Sequence, residues 1–197
     1  MSVEATPRAP THGAPPGRHV PGEPEFWLFI MGDLTVFGVF FGVWAWGHTH
    51  SPQAFELGRA SMIQSIGLGE TLALITSSAA VALALNHARA ARWPAAARGY
   101  LMAIACGAVF VVLKAVEYSA HLAAGDSPAG GGFYMYYFVF TGIHLLHVLV
   151  GLLGLSIAAR SMRSPKRLSV ATLEGIGVYW HMVDVLWVVL FALIYLI

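Results

Sequence analysis

Two histidines, His144 and His147, stand three residues apart inside Phe140-Thr-Gly-Ile-His-Leu-Leu-His-Val-Leu-Val-Gly151, a stretch otherwise apolar enough to cross a bilayer. The last apolar stretch holds a second pair in Tyr179-Trp-His181-Met-Val-Asp184-Val-Leu-Trp187, and a third lies in Lys114-Ala-Val-Glu117-Tyr118. Ionisable groups at mid-membrane cost about 2.5–3.5 kcal/mol each on an insertion scale, so they need partners and mark candidate function. Three kinds of chemistry are open to them. Neutral imidazole is a common metal and haem ligand, and His181 on another span can supply an opposite axial position to His144 or His147. A carboxyl held protonated by apolar surroundings can relay protons or react with hydrophobic carboxyl reagents. The third use is structural, with histidines hydrogen-bonding neighbouring helices and Lys114 pairing with Glu117 along one helix face.

These groups need helices to position them. At i, i+3, His144 and His147 are expected to share a face, as are Lys114 and Glu117, with His121 four residues further on. Glu174 and His181 lie two turns apart, and Asp184 follows, so the last span carries a polar seam. That seam can orient His181 through a carboxylate or dock the helix against the His144/His147 face. Gly142, Gly151, Gly154, Gly175 and Gly177 allow the last two spans to approach closely, and the two are expected to pack together. Asp33 sits among aromatics in Phe29-Ile-Met-Gly-Asp-Leu-Thr-Val-Phe-Gly-Val-Phe-Phe41. Glu70 opens the second span, where a carboxylate near the interface can stay hydrated and needs no special role.

Composition sets the class. Of 197 residues 57% are apolar and 11% are Asp, Glu, Lys or Arg, and the apolar residues fall into long runs. This pattern is that of an integral membrane protein. A net charge of +1 without a clustered basic face excludes a nucleic-acid role. The single cysteine, Cys106, has no partner for a disulfide and reads as a small buried hydrophobe. Residues 1–24 are rich in proline and poor in large apolar side chains, which predicts a disordered tail ahead of a membrane domain over 25–197. The domain is expected to be all-α, with five transmembrane helices at about Phe26–Trp46, Ile66–Asn86, Tyr100–His121, Phe133–Ala159 and Val170–Ile197.

Nine of the eleven Lys and Arg residues fall on one side of this arrangement: Arg8, Arg18, Arg89, Arg92, Arg98, Arg160, Arg163, Lys166 and Arg167. The positive-inside rule then puts the N-terminus in the cytoplasm and the C-terminus outside. No internal repeat or broken span of the kind transporters use is evident.

The segments Thr141-Gly-Ile-His144-x-x-His147-Val-x-x-Gly151, Tyr179-Trp-His181-x-Val-Asp184-Val-x-Trp187, Glu117-Tyr118 and Glu70-Thr-x-x-Leu-x-x-Ser-Ser78 resemble the signature segments of haem–copper oxidase subunit III. The likeness extends over all five spans and is similar to the shorter, five-helix bacterial form. It implies a lipid-holding bundle beside the catalytic subunit I (and II) that carries no haem or copper itself. Those cofactors belong to the partner subunit I. It further implies that the chain steadies proton uptake and protects the oxygen-reducing centre. Glu117, Lys114, Asp33, Glu70, His144, His147, His181 and Asp184 then become proton-related or structural polar residues. His144, His147, His181 and Trp180 would border bound phospholipid, and no residue of this chain would bind metal or act as a catalyst.

The sequence also departs from the family pattern. Lys114 stands where the family often has Gln, and Asp33 where many oxidase members carry Glu. The opening Pro21-Gly-Glu-Pro-Glu-Phe-Trp-Leu-Phe-Ile-Met-Gly-Asp33 is closer to subunit III relatives of nitric oxide reductases. The expected function is that of an accessory subunit of a cytochrome c oxidase-type complex in aerobic electron transport, in a bacterial-type cell membrane. The alternative is a nitric-oxide-reductase-associated subunit in denitrification or nitric oxide detoxification. A bis-histidine haem carrier and a small transporter remain as readings from other classes.

Overall fold

In lipid every backbone N–H and C=O must be satisfied within the protein, so apolar runs of this length become helices. The structure, a computed structural model, describes residues 24–197, and apart from Pro24 the tail read as disordered lies outside the described residues. Six α-helices follow in order: α1 Pro24–His50, α2 Pro52–Ser61, α3 Gln64–Arg89, α4 Trp93–Ala123, α5 Gly132–Ser161 and α6 Val170–Phe191. A π-helical turn, Ala192–Leu196, extends α6. Five of these helices are long and apolar enough to cross a membrane, and the chain is a multi-pass membrane protein.

The first four spans are longer than expected from sequence, whereas the last, Val170–Leu196, is not. At about 1.5 Å per residue, roughly 20 residues cross the hydrocarbon, and the excess tilts or projects. Helix α4 has 31 residues and begins seven positions before Tyr100, because Trp93 and Pro94 start it where proline's missing N–H costs nothing. Just past its end Gly125, with a φ of 91°, lets the Asp126 amide turn back to the His121 carbonyl at 3.0 Å. Ser169 caps α6 by accepting from the Thr172 amide at 3.1 Å.

Helix α2 was not expected. It fills the first loop, with Phe55 tucked edge-on against Trp44 of α1 at 4.9 Å and Phe133 of α5 at 5.8 Å. Its exposed face holds Gln53, Glu56 and Leu57. Ten residues are too few to span, so the segment has no hydropathy signal; Ser51-Pro52 was its only local mark.

Helices α3 and α4 form the closest pair. Ala80, Ala84 and Ala88 face Ala96, Gly99 and Ala103, and a Cβ on Gly99 would stand 2.8 Å from that of Ala84. Small residues substitute for the hydrophobic effect here, because lipid gives helices no apolar reason to associate. Helices α5 and α6 close the bundle, and α1 is the least buried span. It is held by Ile30, Phe37 and Trp44 along one stripe.

Candidate functional site

The bundle interior encloses an ion cluster. Lys114 and Glu117 on α4 and Glu70 on α3 are each 0% exposed. Lys114 Nζ lies 2.6 Å from Glu117 Oε2 and 2.9 Å from Glu70 Oε2. The i, i+3 pair expected from sequence is therefore formed, and a second carboxylate joins it from the neighbouring helix. Tyr137 of α5 donates to Glu117 Oε2 at 2.8 Å. Tyr195 donates to Glu117 Oε1 at 2.6 Å and Oε2 at 2.8 Å. The π-helical turn carries Tyr195 and sets its angle to the cluster, and Gly67 leaves room for its ring. The Trp187 ring centroid is 4.6 Å from Lys114 Nζ, close enough for a cation–π contact.

Glu70 overturns the expectation of a hydrated interfacial carboxylate. Helix α3 starts at Gln64, so Glu70 is nearly two turns inside it and points at α4 rather than outward. Hydropathy alone could not show this direction.

The two histidines of α5 separate. His144 Nε2 donates to the Val183 carbonyl of α6 at 3.0 Å, with its ring against Phe110 and Trp187. His147 Nδ1 donates to the Ile143 carbonyl at 2.8 Å, and its Nε2 turns toward Asp33 Oδ1 of α1 at 3.7 Å. Residues three apart differ by about 60° around a helix, enough here for one to face α6 and the other α1. They tie α5 to two different neighbours, and their bonding nitrogens do not converge. His181 Nδ1 is hydrogen-bonded to Ser78 Oγ of α3. Asp184 lies beside Ser78 and His181. Among the described residues no group of three or more His, Cys, Asp or Glu is placed to hold a metal ion.

The polar seam of α6 therefore faces α3, not the His144/His147 side as the docking expectation had it. It is zipped along its length. Arg89 donates to Glu174 Oε1 at 2.7 Å near the arginine-rich end, Ser78 meets His181, Trp187 Nε1 donates to Thr71 Oγ1 at 3.1 Å, and Gln64 Nε2 reaches the Tyr195 carbonyl at 3.1 Å. His121, expected in line with Glu117, instead pairs with Asp126 Oδ2 at 3.0 Å where α4 ends.

Helices α5 and α6 do pack together, through Trp180. A Cβ on Gly151 would stand 2.6 Å from Trp180 Cε3, and one on Gly107 of α4 3.0 Å from Cη2. Gly142 and Gly175 do not take part in such an approach. This placement corrects part of the lipid assignment. Trp180 is wedged between three helices and His144 is fully enclosed, so neither offers surface to lipid, whereas His147 and His181 are partly exposed.

Sequence reasoning missed Tyr137, Tyr195, Arg89 and Thr71 as members of these networks. Tyr137 and Tyr195 read as ordinary aromatics of apolar spans; their one signal is a hydroxyl that needs a partner when buried. Arg89 counted only as a topology charge. Taken together, the ionisable groups join spans: Glu70 to α4, Glu117 to α5 and the C-terminal turn, His144 to α6, His147 to α1. Such an arrangement can hold a bundle in one register and can bind or release a proton in a sealed interior.

The description "Cytochrome c oxidase subunit III" matches residues 23–197 of the chain. The chain is 23% identical over 177 residues to the probable quinol oxidase subunit 3 of Staphylococcus haemolyticus (strain JCSC1435), with 87% of each chain covered. It is 26% identical over 184 residues to the protein of the same description from Staphylococcus epidermidis (strain ATCC 35984), again over 87% of each. For that of Staphylococcus aureus (strain USA300) the values are 25% over 177 residues and 87% of each.

Proposed function

The chain belongs to the cytochrome c oxidase subunit III family, and from that premise we propose that it is a non-redox accessory subunit of a haem–copper terminal oxidase in aerobic electron transport. The family implies association with other oxidase subunits. The partners we assign are subunit I, which holds the haem and copper, and subunit II. The observation that carries the mechanism is the enclosed cluster of Glu70, Lys114, Glu117, Tyr137 and Tyr195, which joins three spans and the C-terminal turn. A bundle fixed in this way presents a rigid face to the catalytic subunit, steadies it, and influences proton uptake through Glu117 and its neighbours.

An apolar groove between α1 and the α5/α6 pair, lined by Phe26, Phe29, Val150, Gly154, Ile176 and Tyr179, supports phospholipid as a bound component. The arginine-rich ends of α3 and α5 lie at one end of the bundle, where Arg167 covers the Trp93 ring at 4.7 Å. This supports a cytoplasmic N-terminus and an external C-terminus in a bacterial-type inner membrane.

Two experiments test the reading. Mass-spectrometric identification of what co-purifies with the tagged chain from native membranes should return an oxygen-reducing subunit I. A nitric oxide reductase catalytic subunit would instead assign the chain to denitrification or nitric oxide detoxification, and recovery of the chain alone would overturn the accessory role. Glu117→Gln should shorten the working life of the complex under turnover more than it lowers the initial rate. An unchanged inactivation time would sink the mechanistic part.

A further inference from the structure

Lys114 is the sole lysine or arginine among the buried residues described, and it faces two carboxyls. With both ionised, the sealed cluster would hold one uncompensated negative charge. A low-dielectric interior penalises such a charge far more than a neutral carboxylic acid. The charge count therefore asks for one bound proton, and the hydrogen bonds say where.

Glu117 is surrounded by donors. Its Oε2 accepts from Lys114 at 2.6 Å and from Tyr137 at 2.8 Å, and Tyr195 donates to both of its oxygens. Three donor groups directed at one carboxyl favour its ionised form. Glu70 has far less. Its one polar contact is the shared Lys114 Nζ, 2.9 Å from its Oε2, and its Oε1 has no partner. No second cation faces it. The other polar groups packed around the cluster are Tyr118 of α4, Tyr137 and His144 of α5, Trp187 of α6 and Tyr195 of the terminal turn. Trp187 is engaged with Thr71, Tyr118 with Thr141 and His144 with Val183.

We propose that Glu70 is a proton-binding site, a neutral carboxylic acid held beside the Lys114–Glu117 ion pair in the interior of the bundle. The proton is carried by the carboxyl of α3, not by Glu117. This deepens the proposed accessory role, and it rests on that reading only for its relevance to proton uptake. The protonation itself follows from charge and geometry within this chain.

The test is infrared difference spectroscopy on the complex purified through this chain, wild type against variants, in H2O and D2O. The wild type should show a carboxylic-acid C=O band that moves on deuteration and is missing from Glu70→Gln. Glu117→Gln should remove the same band, because Lys114 is then left to Glu70 alone. Lys114→Met should add acid signal, since both carboxyls lose their cation. The conservative variants assign the proton, and they also decide if Glu70→Gln fails to assemble: Glu70→Asp should shift the band in frequency while Glu117→Asp leaves it in place, and the reverse pattern overturns the proposal. So does a wild type in which no acid band depends on Glu70, or one whose band survives Glu70→Gln and is lost in Glu117→Gln. The turnover lifetime of Glu117→Gln is measured on the same preparations. An acid band assigned to Glu70 with an unaltered lifetime would uphold the proton site and reject the accessory mechanism.

Discussion

Replacing Lys114 by Met removes the cation of the cluster while keeping the length and most of the volume of the side chain. The variant loses the contacts to Glu117 at 2.6 Å and Glu70 at 2.9 Å, and the cation–π contact to Trp187. Charge-assisted hydrogen bonds contribute about 1.5–3 kcal/mol each, and breaking a buried ion pair from one side costs about 3–5 kcal/mol because the other charge is left uncompensated. The two estimates overlap, and we expect a loss of about 3–5 kcal/mol, a hundred- to several-thousand-fold change in the folding equilibrium. The triple variant Glu70→Leu/Lys114→Met/Glu117→Leu should recover most of that loss, since replacing a whole buried triad by apolar residues of similar volume is often close to neutral. Arg89→Ala provides the contrast. Its guanidinium is 47% exposed although Glu174 is only 10% exposed, so the pair should be worth no more than about 1 kcal/mol. The assay is equilibrium unfolding of the full chain in mild detergent by titration with dodecyl sulfate, followed by tryptophan emission. A Lys114→Met loss no larger than that of Arg89→Ala, or a triple variant as unstable as Lys114→Met, would refute the argument that uncompensated charge dominates this interior.

Two further outcomes follow from the packing and the charge distribution. Gly151→Ala places a methyl 2.6 Å from the Trp180 ring, which is wedged against Gly107 as well and cannot retreat; the same titration should register about 1–3 kcal/mol of overpacking strain, and Trp180→Leu should relieve part of it. In a Cys106→Ala background, a cysteine at Ser164 should react with an impermeant maleimide only from the cytoplasmic side and one at Ser127 only from outside; the reverse would invert the proposed topology.

Much of this protein was legible in its sequence because a bilayer leaves the backbone few options. Apolar runs of span length had to be helices, and their charge asymmetry is the basis of the proposed orientation. The Lys114–Glu117 pair was also legible, since three residues along one helix fix a contact without any tertiary information. Local spacing failed where a partner lay on another helix. His144 and His147, at the same spacing, were parted because α6 offers a carbonyl on one side and α1 a carboxylate on the other.

Sequence alone determined the number of spans, the Lys114–Glu117 pair and the family resemblance, because hydropathy, helical period and local motifs are properties of a single segment. Only tertiary structure decided that Glu70 turns inward to Lys114, that Tyr195 reaches Glu117 across 78 positions and that the α6 seam zips to α3. Each depends on the rotation of one helix against another. That rotation is set by glycine and alanine contacts such as Gly99 on Ala84 and Gly151 under Trp180, which no single segment encodes.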